Sequence, residues 1–182
     1  FAVCKPISMY GKSKLKAEKL VRSKTSKMWT IIRPASVYGP GDKDFLQYFR
    51  LIKKHFAPLV GFGKKYISLI YVEELVDFII KTFDNEQAFN EIFFASDGEV
   101  YTWEMFAESL SRAVNSFAVT IRIPEILLLP FALISEIFSV GKYPTFNREK
   151  AREMMQTSWL VSNRKAVKLL EFKPEPNLTE NL

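Results

Sequence analysis

The sequence predicts an α/β protein, and three observations lead there. Short apolar runs at 28–32, 66–72 and 91–95 alternate with longer amphipathic stretches. Hydrophobic residues make up 48% of the chain and charged residues 25%, the balance of a folded protein and not of a disordered one. A length of 182 residues suffices for one domain with a real core, or for one domain and part of another. Sixteen Phe against seven Gly point to an aromatic interior with few flexible loops.

Residues 10–24 read as a helix rich in Lys, Ala, Leu and Glu, with Leu15, Leu20 and Val21 apolar. The run 28–32 reads as a buried strand, followed by Arg33-Pro34 and the turn residues Gly39-Pro40-Gly41-Asp42. An amphipathic helix is expected over 45–56 and a strand over 66–72. Glu73 and Glu74 then open a helix to about 83, their charges suiting its N-terminal dipole. A strand at 91–95 precedes Thr102, which caps a helix over 103–114. A strand is expected at 119–123 and an apolar helix over 124–138, bent at Pro130. Asn147 caps a short helix to 155, and 159–161 is extended. Ser162 caps a last helix to 170, stopped by Pro174 and Pro176.

Counting excludes several chemistries. Cys4 is the one cysteine and His55 the one histidine, so the chain can form neither an internal disulfide nor a Cys/His zinc site. No metal ligand set is expected, and a reducing, cytoplasmic setting is. A Ser-His-Asp or Cys-His mechanism would have to run through His55, which falls within the helical pattern 45–56 and reads as a surface or packing residue. Lys and Arg total 26 and Asp and Glu total 20, a net charge of +6. The lysines are spread along the chain, so a solvated surface is expected, with weak attraction for anionic ligands and no nucleic-acid partner. Phe1 stands where a natural start would have Met, and no signal-peptide pattern follows. The apolar segment 121–140 contains Arg122, Glu125 and Glu136. Its longest uncharged stretch, 126–135, falls well short of the roughly 20 residues a membrane span requires. A buried or interfacial helix is expected there; a membrane partner is not, and a peripheral membrane protein using 126–135 is a rival reading.

Tyr10 and Lys14 are four residues apart, which puts both side chains on one helix face. A phenol beside an ammonium gives up its proton more readily, so the pair suits proton exchange with an alcohol or carbonyl. By spacing alone it reads as a solvated helix face. Its surroundings are more specific. The string Pro6-Ile7-Ser8-Met9-Tyr10-Gly11-Lys12-Ser13-Lys14 is followed by Ile32-Arg33-Pro34-Ala35-Ser36-Val37-Tyr38-Gly39-Pro40-Gly41-Asp42, and then by Ile70-Tyr71-Val72-Glu73-Glu74-Leu75. In order and spacing these blocks resemble the extended short-chain dehydrogenase/reductase family, which includes the NAD-dependent epimerases and dehydratases. The family patterns P-x-S-x-Y-G-x-S-K and R-P-x-x-V-Y-G-P-G-D are matched fully. In (H/Y)-V-x-D-(L/V), Glu74 replaces Asp. The stretch from Lys165-Ala166 to Pro174 resembles K-A-x-x-x-L-G-(F/Y)-x-P, with Glu171 replacing Gly.

The resemblance implies roles. Tyr10 would be the catalytic acid/base. Lys14 would hold the nicotinamide ribose and assist Tyr10. Pro34, Ala35, Ser36 and Val37 would lie beside the nicotinamide of NAD or NADP, and Ser8, Tyr38 and Tyr71 would face a small-molecule substrate. The fold implied is the C-terminal part of a Rossmann-like parallel sheet (1–44 and 73–101) plus a small mixed α/β substrate domain (45–72 and 102–182). The helix carrying Tyr10 and Lys14 would also form half of a homodimer interface. The family's glycine-rich turn and catalytic Ser or Thr do not occur here, so the chain is expected to be part of a longer enzyme. Nucleotide-sugar members often carry an Arg where Ile67 stands, and Lys64 and Lys65 are only neighbours of that position. The segment 121–140, followed by Thr145-Phe146-Asn147-Arg148, is similar to 3β-hydroxysteroid dehydrogenase and dihydroflavonol reductase relatives, which take apolar substrates. The expected activity is NAD(P)-dependent epimerisation, dehydration or oxidoreduction at a secondary alcohol or ketone carbon, with a nucleotide sugar or an apolar molecule as substrate. A non-catalytic interaction module is the alternative of another class.

Overall fold

A computed structural model describes residues 4–24, 27–83, 85–139, 146–175 and 178, without the side chains of 43 and 44. Phe1, Val140, Thr145 and Pro176, used above, lie outside the described residues. Helix α1, Met9–Lys24, leads into strand β1, Thr30–Pro34. Strand β1 pairs in parallel with β6, Glu91–Ala95, from Thr30 opposite Glu91 to Pro34 opposite Ala95. Between them the chain forms β2 (Ser36–Tyr38), α2 (Lys43–Lys53), β3 (Phe56–Val60), β4 (Tyr66–Ile67), β5 (Leu69–Tyr71) and α3 (Val72–Thr82). Strands β7 (Tyr101–Thr102) and β8 (Val119–Ile123) flank α4 (Trp103–Ala113), and α5 (Leu128–Phe138), α6 (Arg148–Met154), β9 (Ser158–Trp159) and α7 (Arg164–Leu170) follow. The pairs β2–β5 and β3–β8 are also parallel, and β4 lies between antiparallel β7 and parallel β9. Parallel pairs joined through helices are the expected α/β architecture.

Two clusters form most of the core. Phe78 of α3 meets Phe172 edge-on at 4.8 Å and Phe93 of β6 at 6.1 Å, with Ala166 and Leu170 of α7 closing the group. Phe93, Phe78 and Ala166 are fully buried. The other cluster gathers Tyr38, Ile52, Ile67, Leu69, Phe106 and Leu110, so α2 and α4 pack over β2, β4 and β5. The predicted aromatic interior is realised in these groups.

Several expected elements appear with the predicted chemistry. The Thr102 hydroxyl accepts from the Met105 N–H at 3.2 Å, and Asn147 Oδ1 accepts from the Lys150 N–H at 2.8 Å, each satisfying an amide that its helix cannot. Strands β6 and β8 occupy the predicted residues. Elsewhere the structure corrects the reading. The strand expected at 28–32 lies two residues later, through Pro34, which takes the terminal position. The run 66–72 is two strands in different sheets. Buried Ser68 separates them, its N–H bonded to the Trp159 carbonyl and its hydroxyl accepting from Val161 N–H. The helix expected to 56 stops at Lys53, because His55 adopts φ 63 and Phe56 enters β3. Strand β2 was expected as backbone before a turn. The helix expected from 124 opens as a 3-10 turn over Glu125–Leu127, placing Pro130 in the first turn of α5, where no intrahelical donor is lost. Asn163, not Ser162, occupies the N-cap of α7. No helix among the described residues is long and apolar enough to cross a membrane.

Candidate active site

The α1 end of the site is built by Ser8. Its hydroxyl accepts from the Gly11 N–H at 3.2 Å, and its carbonyl from the Lys12 N–H at 3.0 Å, so Ser8 starts the helix while itself being buried. Gly11 belongs here because a Cβ would stand 3.0 Å from Pro6 Cβ. The helix is fastened at its start and past its middle: the Met9 N–H donates to Glu149 of α6 at 3.0 Å, and Glu18 takes a two-pronged grip from Arg33 of β1, at 2.9 and 2.5 Å. That fork holds the Arg33 guanidinium above its usual range, burial opposing it. Tyr10 and Lys14 follow on the outer side. Lys14 Nζ lies 5.4 Å from the Tyr10 ring centre, and Tyr10 is 69% exposed, open to a ligand.

The β1–β2 junction brings the next group. The Ala35 N–H donates to the Ala95 carbonyl at 2.8 Å, the last link to β6, and the Ser36 N–H donates to the Ser68 carbonyl at 3.2 Å, the first link to β5. The chain therefore changes sheet at Pro34-Ala35. Strand alternation then turns the Val37 N–H away from β5, toward the side where β2 has no strand partner among the described residues. Tyr38 and Tyr71 stand opposite each other in register, ring centres 5.5 Å apart, with Tyr38 buried and Tyr71 half-buried. Gly39 permits this pairing. It has φ +131, and a Cβ there would come within 2.8 Å of both Tyr71 Cε2 and Val72 Cγ1. The structure thus brings together two pairs, Tyr10 with Lys14 and Tyr38 with Tyr71.

Asp97, Tyr101 and Asn163, all buried, escaped the sequence reading. Asp97 sits just beyond the C-terminal end of β6, accepting from Tyr101 OH at 2.8 Å and from the Glu99 N–H at 3.0 Å. Burial pushes its carboxyl up to about 6, against these two bonds. Burial likewise raises Tyr101. Nearby Asn163 donates to the Ser96 carbonyl at 2.9 Å. Glu74 is raised by burial, and its Oε2 is buried with no hydrogen-bond partner. The one local signal for Asp97 was Asp-Gly directly after a strand, which reads as a turn. Lys65 is buried, and its ammonium is shared by the Met154 and Gln156 carbonyls, at 2.9 and 3.2 Å, and Glu125 at 2.8 Å. Ile67, at the position where an arginine was looked for, is core. His55 is exposed and stacks on Phe117 at 4.3 Å, with Nδ1 2.8 Å from the Phe117 carbonyl. Among the described residues no group of three His, Cys, Asp or Glu side chains converges as a metal site would.

Known proteins are similar to this chain in sequence and in fold. A UDP-glucose 4-epimerase from Vibrio cholerae is 40% identical over 109 residues, covering 57% of this chain and 33% of its own length. The chloroplast stem-loop binding protein of 41 kDa b from Arabidopsis thaliana is 29% identical over 174 residues, 94% of this chain and 42% of its own. Among solved structures, UDP-glucuronic acid 4-epimerase from Bacillus cereus in complex with NAD superposes with a TM-score of 0.73 at 16% identity, over 98% of this chain and 51% of that one. The chain thus spans between a third and about half of the length of these relatives. Residues 2–128 match the family described as the RmlD substrate binding domain, and with its motifs in register the chain belongs to that family, among the extended short-chain dehydrogenase/reductase proteins.

Proposed function

We propose that this chain supplies the proton-transfer pair and the substrate lobe of an NAD(P)-dependent epimerase/dehydratase or oxidoreductase. Its reaction centre would be a secondary alcohol or ketone carbon of a nucleotide sugar. The observation that carries the reading is the Tyr10–Lys14 pair, exposed together on a helix anchored on either side of it, at Met9 and at Glu18. Tyr10 as the phenolate takes a proton from the substrate alcohol, or as the phenol returns one to the ketone, and Lys14 holds positive charge beside it. The bound nicotinamide would accept or return the hydride. The Val37 N–H fixes its orientation, and Tyr38 and Tyr71 form the wall beyond. The names and bound ligands of the epimerase relatives support this assignment. A homodimer through α1 agrees with the exposure of Met9, Leu20 and Val21 on a helix that buries no residue.

A second reading, an apolar alcohol or ketone as substrate, is favoured by one observation. Ile67 is core and the Lys65 ammonium has three protein partners, so neither offers a diphosphate a cation. The test is turnover by the full-length protein of UDP-glucose against a hydrophobic ketone with reduced cofactor, for wild type, Tyr10→Phe and Lys14→Met. The proposal expects UDP-glucose to be turned over and Tyr10→Phe to remove most of the rate, with cofactor binding little changed. Turnover of the ketone alone establishes the second reading. Unchanged rates in both variants refute the assignment and favour a binding module, as the name of the chloroplast relative implies for that protein.

A further inference from the structure

We infer that residues 125–138, with Phe62, form a surface that docks in-plane on an anionic lipid bilayer. This inference does not depend on the reaction proposed above. Helix α5 is apolar around most of its circumference, yet among the described residues it buries only Leu128 and Ala132, one turn apart, against Ala151 and Met155 of the α6 region and Ile123 of β8. Every other large apolar side chain of the segment faces out. Ile126 and Phe138, at its two ends, are 80% and 81% exposed, and Phe131, Leu133, Ile134 and Ile137 lie exposed between them. A ridge of this kind presents on the order of several hundred Å² of apolar surface, more than an isolated soluble chain ordinarily leaves open.

A distant part of the sequence extends the same surface. The Gly61 N–H donates to the Ile123 carbonyl at 2.8 Å, and Arg122 reaches back to the Gly61 carbonyl at 3.1 Å. The Gly61-Phe62-Gly63 loop is therefore fastened to the end of β8, where the chain turns into the 3-10 segment. Phe62 projects from it, 73% exposed, two residues before exposed Lys64.

The charges choose the occupant. The two acids of the segment are both neutralised: Glu125 by Lys65 at 2.8 Å and Glu136 by Arg148 at 2.8 Å. The ridge thus carries no uncompensated negative charge, Lys64 flanks it, and the whole chain is +6. That combination complements an anionic surface. A protein partner would require hydrogen bonds at about one per 100–200 Å², and the exposed side chains of this ridge offer almost none. The segment lies flat because it is too short to cross.

The test is co-sedimentation of the chain with phosphatidylcholine vesicles, with and without phosphatidylglycerol, at low and high salt. Circular dichroism and sedimentation equilibrium accompany it. Wild type should bind the phosphatidylglycerol vesicles and weaken with salt. Ile126→Asp and Phe138→Asp should each lower partitioning about tenfold or more. Phe83→Asp, at a position 68% exposed just beyond α3, should not. The substituted side chains are four-fifths exposed, so each variant should keep the wild-type dichroism. The inference is overturned by wild type that ignores both vesicle types, or by equal binding of all variants. It is also overturned if the wild type is a dimer that both variants dissociate without any vesicle binding, which would make the occupant a second copy.

Discussion

Ionising Asp97 works against this fold. Its side chain lies behind β6, 4% exposed, with one carboxylate oxygen on Tyr101 and the other on the Glu99 N–H. These two bonds do not repay the loss of water, and the carboxyl titrates at about 6 where a solvated one titrates at 3.8. The folded chain then holds a proton that the unfolded chain has released. The stability contributed by protonated Asp97 is present in full below 3.8 and is lost as the pH rises through about 6. A displacement of that size corresponds to about 3 kcal/mol. The perturbation is Asp97→Asn, which removes the titration at almost constant size. Urea unfolding of both proteins from about pH 4 to about pH 7.5 is the assay. The wild type should lose about 2–3 kcal/mol relative to the variant across that range. Glu74, raised by burial, adds a slope of the same sign. Glu91, held low by the Lys165 ammonium, and Glu136, held low by the Arg148 backbone N–H, add the opposite slope, and all three are common to both proteins. Parallel stability curves for wild type and variant would refute the argument.

Three further outcomes follow from named positions. Glu171 sits at φ 49 directly after α7, where the family pattern has Gly, so Glu171→Gly should stabilise the chain by about 0.5–1 kcal/mol, read by thermal unfolding. Gly39→Ala should cost on the order of 2 kcal/mol or more, because the new methyl must displace Tyr71 and Val72; urea titration checks it, and a neutral change would refute the close approach. Phe93→Ala should cost about 3–5 kcal/mol by the same titration, through the cavity left between Phe78 and the residues of α7.

The sequence was most legible where local chemistry decides structure. Thr102 and Asn147 are caps with side chains that answer to their own helices, and β6 and β8 are apolar runs bounded by turn residues. The Tyr10–Lys14 pair was legible because four residues in a helix bring side chains together in any fold. Where distant partners decide, the reading failed. Ser68 breaks an apparently continuous strand because residues 159 and 161, some ninety positions on, hydrogen-bond to it. Strand β2 has three residues and exists because β5 lies beside it. Asp97 carries no local mark beyond the Gly that follows it, and its raised carboxyl is a product of tertiary burial that no local pattern records. Lys65 looked like a spare cation beside Ile67; three partners from two distant segments occupy it. The substitution of Glu171 for Gly was visible as a departure from a pattern, and the structure supplies its meaning as a left-handed helix end.

The proposed role of Tyr10 and Lys14 is the centre of this account, and rapid mixing of the full-length protein, oxidised cofactor and UDP-glucose tests it most directly. With wild type, reduced nicotinamide absorbance should appear within a single turnover, as hydride leaves the substrate carbon and Tyr10 takes the hydroxyl proton. With Tyr10→Phe the cofactor should still bind and the absorbance should rise at least about a hundredfold more slowly. Reduction at the wild-type rate in that variant would contradict the assignment.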